Sequence, residues 1–288
     1  MKKVLVTGAG GQLGRELQRL AASYPAFEFL FFSREQLAID QPAQVQEAFA
    51  ANRPDWCINC AAYTAVDKAE SDKATAFRIN GDGAGYLAKA CRESGARLIH
   101  ISTDYVFDGA RPVPLKEQDP TGPINVYGAS KLEGERQVMQ QHPDGSVIIR
   151  TSWVYSEFGN NFVKTMIRLM NERPSIGVVD DQIGSPTYAA DLAGAILLIL
   201  SARKFIPGIY HYSNEGQVSW YEFARAIRYL IHSTCEVRPI PTAQFPTPAG
   251  RPAWSLLDKT LIQDSYGVPI QPWDRSLAVC VNRLQNGC

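Results

Sequence analysis

The sequence predicts an α/β chain: a doubly wound parallel sheet with a smaller C-terminal lobe. Three observations predict it. Short, β-branched apolar runs alternate with helix-forming stretches through the first half of the chain. The first of these runs passes straight into a glycine-rich turn that opens a helix. After Gly208 the alternation weakens, and residues 236–254 are rich in proline without a regular pattern, as in a loop-rich lobe.

Lys2-Lys-Val-Leu-Val-Thr7 reads as a buried strand, followed at once by Gly8-Ala-Gly-Gly11-Gln-Leu-Gly14 and by helix formers over Arg15–Ala22. Gly8 permits the tight turn, Gly11 lets a pyrophosphate approach the backbone, and Gly14 lets the helix pack close to the sheet. The helix N-terminus then faces the phosphates, which makes this a dinucleotide-binding turn of Rossmann type. The second strand, Glu28–Phe32, leads to Ser33-Arg34. An NAD enzyme often carries an acid near this point for the ribose 2′-hydroxyl. Serine then arginine suits a 2′-phosphate instead, so NADPH is expected, with NADH the alternative; the plain reading of Arg34 is a solvated loop residue. Asp40 either contacts the adenine side or caps the helix that carries Val45, Ala48 and Phe49.

The next strand, Asp55–Ala62, ends in small residues that leave room for a ribose or nicotinamide beside Ala61 and Ala62, and Tyr63 and Thr64 follow. A long helix is expected over 74–90 with Asn80 inside it, either solvated or capping, or holding a water or a kink near a site. Residues 98–131 carry the chemistry. Arg97–Ile101 is a strand, so Ser102, Thr103 and Asp104 reach the carboxyl edge, where doubly wound sheets place their sites. After a proline-containing loop, Tyr127 and Lys131 stand four apart and share one helix face. A free tyrosine holds its proton to about pH 10. A cation one turn away favours the phenolate. With Thr103 binding the same substrate oxygen, the trio can pass a proton to or from an alcohol or ketone while a cofactor moves the hydride. Tyr-x-x-x-Lys is common alone; the strand end and the glycine turn are what give it meaning.

Val147–Tyr155 is a further strand, with Trp153 at its end, placed either to stack on a sugar ring or to close the core. An amphipathic helix over 160–170, a polar loop over 178–187 and a buried apolar helix over 188–200 follow. Ile209–Ser213 is a short strand, and Ser219-Trp-Tyr-Glu222 has capping-box spacing for a helix to about Ile231. Arg251 meets an anionic part of a substrate or is an ordinary surface arginine. Residues 1–150 plus about 176–205 are assigned to the cofactor domain, and about 151–175 plus 206–288 to the substrate lobe.

With 288 residues and 45% hydrophobic content the chain can bury a substantial core, and 29 basic against 29 acidic residues leave no overall basic character to draw nucleic acid. The longest apolar run, 193–200, is too short for a membrane span. The chain starts directly in a strand without a secretory leader, so a cytoplasmic protein is expected. The cysteines at 57, 60, 91, 235, 280 and 288 are scattered. Cys57 and Cys60 share a strand and point to opposite faces, so reduced, mostly buried thiols are expected and no metal site.

The Thr-Gly-x-x-Gly-x-x-Gly start, the Ser-Thr-Asp strand end and the Tyr-x-x-x-Lys pair resemble the extended short-chain dehydrogenase/reductase superfamily. Within it, Gly11–Gly14, Ala61–Glu70, Ser102–Gly109, Tyr127–Lys131, Arg150–Tyr155 and Arg251–Ser255 closely resemble the dTDP-4-dehydrorhamnose reductase family, over residues 3 to about 260. The resemblance implies reduction of the 4-keto group of dTDP-4-dehydro-L-rhamnose by NADPH or NADH. It implies that Tyr127 donates the proton, Lys131 holds the nicotinamide ribose and tunes Tyr127, and Thr103 binds the 4-oxygen. Asp104, Trp153, Asn161 and Arg251 fall on the substrate side; Gly8, Gly11, Gln12, Leu13, Ser33, Arg34, Ile39, Asp40 and Ala61–Thr64 fall on the cofactor side. The chain departs from many relatives at Ala38-Ile39, where they carry an Asp-aliphatic pair. Some relatives hold Mg²⁺ with glutamates at a dimer contact; Glu16 matches one, but Ala190 stands where a second falls, so no metal is expected and a homodimer is left open. Two other readings stand beside the reductase. One is an NADP-binding regulatory subunit like the β subunit of methionine adenosyltransferase, which does not need the intact trio. The other is a sugar-nucleotide epimerase or dehydratase, for which Tyr105 stands where a second acid is wanted.

Overall fold

The computed structural model describes residues 1–287. In chain order the first half runs β1 (Lys2–Thr7), α1 (Gln12–Ala21), β2 (Phe27–Phe32), α2 (Pro42–Asn52), β3 (Trp56–Asn59), α3 (Val66–Ala69), α4 (Lys73–Phe77), α5 (Gly83–Ser94), β4 (Arg97–Thr103), α6 (Val126–Gln141) and β5 (Ser146–Thr151). The second half runs β6 (Val154–Tyr155), α7 (Phe162–Glu172), β7 (Ser175–Val179), β8 (Ile183–Gly184), β9 (Thr187–Tyr188), α8 (Ala189–Ser201), β10 (Gly208–Tyr212), β11 (Val218–Ser219), α9 (Trp220–Leu230), β12 (Glu236–Ile240), α10 (Thr260–Tyr266) and α11 (Trp273–Asn286).

Six strands form one parallel sheet in the order β10-β5-β4-β3-β1-β2, the doubly wound arrangement expected. The order reverses between β1 and β3, and such a switch point opens a crevice at the carboxyl ends of the strands. Strand alternation sorts the core into two layers. Val4, Val6, Ile58, Ile99 and Ile149 face Leu13 and Leu17 of α1 and Leu192, Ile196 and Leu200 of α8. Leu5, Cys57, Leu98 and Ile148 face Val45 and Phe49 of α2, Leu87 and Cys91 of α5 and Val138 of α6. Cys57 and Cys60 thus belong to opposite layers; Cys288 lies outside the described residues. Among the described residues no helix is long and apolar enough to cross a membrane.

A third cluster, with Val163 and Met166 of α7, Phe223 and Ile227 of α9 and Leu277 and Val281 of α11, forms the second lobe. Its boundary differs from the one assigned from sequence. β10 pairs with β5 along its whole length, so residues 208–212 belong to the main sheet. Ile262 of α10 packs in the first core layer. Conversely β7 pairs with β12 and its Ile176 and Val178 pack in the lobe. Short strands that cross between units carry too little alternation to be sorted by pattern alone. The stretch 178–187, expected as loop, contributes the end of β7, all of β8 and the first residue of β9. The helix expected over 74–90 is interrupted by a π-turn at Arg78–Asp82 that carries Asn80. The capping box at Ser219 is present, each partner bonding the other's backbone.

Candidate active site

A cleft of about 790 Å³ opens at the carboxyl ends of β1, β3 and β4. Gly8, Gly10, Gly11, Gln12 and Leu13 line one end, with Ser33, Arg34, Ile39 and Asp40 at the mouth. Ala61, Ala62 and Thr64 form the floor, and Thr103, Asp104, Tyr127, Lys131, Trp153 and Trp220 surround the far end. The glycine turn is as tight as its sequence implies: a Cβ on Gly14 would lie 2.5 Å from the Gly8 carbonyl oxygen, whereas one on Gly10 would meet nothing within 4 Å. Gly11 caps α1 without a side-chain hydrogen bond, leaving first-turn N–H groups free for an anion.

Tyr127 sits on the first turn of α6. Asn125 caps that helix, accepting from the Gly128 amide at 2.7 Å and donating to the Gly250 carbonyl at 2.7 Å. Gly128 lies directly against the Tyr105 carbonyl oxygen, where any Cβ would overlap it. That close approach brings Tyr127 edge-on to Tyr105, with ring centres 5.7 Å apart. Thr103 Oγ1 accepts from the Tyr105 amide and donates to Asp104 Oδ1 at 3.0 Å. Asp104 Oδ2 is buried with no partner. Burial pushes the Asp104 carboxyl up to about 7, against the hydrogen bond from Thr103.

Lys131 is buried one helical turn from Tyr127, and its Nζ donates to the Ile101 carbonyl at 2.6 Å. Burial pushes it down to about 8, while Glu135 pulls it up. Burial also pushes Tyr127 up to about 12, with the neighbouring Asp104 carboxylate pushing the same way. Depression of Tyr127 by the lysine is the expectation from sequence; in the structure burial is the leading influence on Tyr127.

Trp153 lines the cleft in a left-handed backbone conformation, φ 49°, which costs a bulky residue of the order of 1–3 kcal/mol. Its indole stacks on Trp220 at 3.6 Å and 10°. Trp220 follows the capping serine of α9, and its place in the cleft wall was not anticipated. Asn80, read from sequence as solvated, as capping, or as holding a water or a kink near a site, sits in the π-turn, where its side chain bonds both backbone groups of Tyr63 and the Ser130 hydroxyl and so fixes the Ala62–Thr64 segment against α6.

Three expected residues are not among those lining the cleft. Tyr63 turns its hydroxyl to Asp72 at 3.2 Å. Asn161 caps α7 and donates to Gln12 Oε1 and the Ser156 carbonyl. Arg251 pairs with Asp67 at 2.9 Å. At the mouth, Asp40 pairs with Arg78 and Ser33 donates to Glu35. Glu16 is buried, its carboxylate spent on Arg19 and on the Ser156 hydroxyl.

A family model described as RmlD substrate binding domain matches residues 1–286. A dTDP-4-dehydrorhamnose reductase of Aggregatibacter actinomycetemcomitans is 44% identical over 289 residues, covering 96% of this chain and 97% of the relative. A crystal structure of a dTDP-4-dehydrorhamnose reductase from Clostridium acetobutylicum superposes with a TM-score of 0.94 at 40% identity, covering 98% of this chain and 99% of that one. The dTDP-4-dehydrorhamnose reductase of Bacillus anthracis, solved in complex with NADP, gives a TM-score of 0.92 at 42% identity, with both chains fully covered. Full-length identity of this size, together with the glycine turn and the Thr103–Tyr127–Lys131 edge, means that the chain belongs to the dTDP-4-dehydrorhamnose reductase family of oxidoreductases.

Proposed function

We propose that this protein reduces the 4-keto group of dTDP-4-dehydro-L-rhamnose to give dTDP-L-rhamnose, using NADPH in preference to NADH. The convergence of Thr103, Tyr127 and Lys131 beside a glycine turn in one cleft carries this reading. The residues present fit the cofactor. The open side of Gly10 and the free first-turn amides of α1 suit a pyrophosphate. Arg34, exposed at the mouth and without an ion pair among the described residues, suits a 2′-phosphate.

The nicotinamide, when bound, supplies the hydride to C4 of the sugar. Tyr127 Oη gives its proton to the 4-oxygen, completing the alcohol. Thr103 Oγ1 turns from Asp104 to that oxygen and orients it. A buried Tyr127 that keeps its proton well above neutrality is an effective store of the acid form, and Lys131 returns a proton to it after transfer. Asp104, with its spare Oδ2, takes a sugar hydroxyl. Trp153, backed by Trp220, offers a flat wall for the deoxysugar ring.

The test is loss of the absorbance of NADPH with enzymatically prepared dTDP-4-dehydro-L-rhamnose, against a Tyr127→Phe control. Oxidation by the wild type alone supports both substrate and proton donor. Bound NADPH without oxidation refutes the substrate.

A further inference from the structure

A line of buried polar side chains runs through the sheet to Lys131. Thr7 on β1, Asn59 on β3, His100 on β4 and Lys131 on α6 are 0%, 1%, 1% and 2% exposed. One backbone group fixes which atoms donate. The Ala61 amide donates to Asn59 Oδ1 at 3.1 Å, and Thr7 Oγ1 donates to the same oxygen at 2.7 Å. The other end of that amide, Nδ2, therefore faces His100 Nδ1, at 2.9 Å. An amide NH₂ only donates, so His100 Nδ1 accepts and the neutral ring carries its proton on Nε2. Burial and the Lys131 charge hold this imidazole well below its ordinary range, so it stays neutral. Its Nε2–H is then aimed at Lys131 Nζ across 3.4 Å.

That contact distinguishes the two forms of the lysine. An ammonium has three donors and no acceptor, so it gains nothing from a facing N–H. A neutral amine has a lone pair that accepts it. We propose that His100, its tautomer locked by Asn59, is a positioning residue that favours the proton-poor form of Lys131 and so promotes return of the lysine proton to Tyr127. This rests on the reading of Tyr127 and Lys131 as the proton-transfer pair. The proton leaving Nζ goes to the Tyr127 oxygen, the Nζ lone pair takes the His100 N–H, and solvent water later restores the ammonium. Three ionisable side chains act around Nζ. His100 approaches from β4. Glu135, one turn on along α6, pulls the lysine up and is itself held by Arg150 of β5 and Ser102 of β4. Tyr127 stands one turn back on α6.

The experiment uses full-length enzyme labelled at lysine Cε with the NMR-active carbon isotope, the Lys131 resonance being identified by its loss in Lys131→Met. Titration of the wild type should give a midpoint near 8, far below an ordinary lysine. His100→Gln offers Nζ an oxygen in place of the N–H and should raise the midpoint by about one unit, a tenfold change in proton affinity. The alkaline limb of kcat/KM should move up with it. Asn59→Asp keeps the imidazole but demands its proton on Nδ1, and it should raise the midpoint where His100→Gln does not fold. An unmoved midpoint in a folded variant overturns the proposal. So, without any variant, do ring-nitrogen shifts that place the His100 proton on Nδ1. A midpoint that rises while the kcat/KM limb stays put leaves the tuning of Lys131 standing and removes Lys131 from turnover.

Discussion

Replacing Glu135 by glutamine should cost this protein more than any single surface change. The carboxylate and Arg150 are each only 3% exposed in their side chains, and they meet at 2.7 Å. Both oxygens are in use: Oε1 accepts from Ser102 Oγ and Arg150 Nε, and Oε2 accepts from Arg150 Nη2. Glutamine keeps one of those acceptors and turns an NH₂ toward a guanidinium that can only donate. A buried charge is left unpaired, at about 3–5 kcal/mol. For a chain somewhat above 150–250 residues, at about 2 °C per kcal/mol, this becomes a fall in Tm of roughly 6–10 °C. The same change should move Lys131 further down, because Glu135 is the charge that pulls it up, so the alkaline limb of the activity profile shifts to lower pH. Differential scanning calorimetry and a pH series of kcat/KM read the two effects separately. The double variant Glu135→Leu with Arg150→Met, which removes both charges, should recover much of the Tm. A Glu135→Gln protein melting within about 2 °C of wild type, on that same scale, would refute the uncompensated-charge account.

Tyr127→Phe should lower kcat by roughly 10²–10⁴ with NADPH affinity largely intact; an unchanged kcat removes Tyr127 as proton donor. Arg34→Ala should weaken NADPH more than NADH in fluorescence titrations, and equal losses would exclude a 2′-phosphate contact. Asp104→Asn should stabilise the fold while impairing turnover. The folded carboxyl titrates near 7 against an ordinary 3.8, so the folded state binds the extra proton between those values and wild-type stability falls as pH rises through that window. The asparagine variant should therefore gain about 2–4 kcal/mol above pH 7 and nothing near pH 3, and a gain independent of pH would contradict the assignment.

Much of the fold was legible because the central strands are buried on both sides and announce themselves as apolar runs. Val4 to Val6 and Val147 to Ile149 each send side chains into two core layers, which forces both periodicity and hydrophobicity. The glycine turn was legible for a steric reason: at Gly14 a Cβ would collide with the preceding turn. The division between sheet and lobe was not legible. β10 is short and carries His211, which is buried against the Leu115 carbonyl, so its membership depends on a distant partner. Likewise β7 reads as the edge of a loop until β12, some sixty residues on, pairs with it.

At the site, Thr103, Tyr127 and Lys131 are legible by motif, whereas Trp220, which also lines the cleft, and His100, which lies beneath it, are not. Tyr127 and Lys131 share a helix face by spacing alone, and Thr103 ends a strand. A sequence does not show which side chains are already engaged within the protein: Arg251 pairs with Asp67, and Asn161 donates to Gln12. His100 was inside the motif and still escaped notice, because its role depends on the orientation of Asn59, and that in turn on the Ala61 amide, all brought together by the parallel register of β3 and β4. The pairing Asn59↔His100 in that register puts one donor and one acceptor side by side on the face toward α6. From there the chemistry of Lys131 is set as much by the strand beneath it as by the helix that carries it.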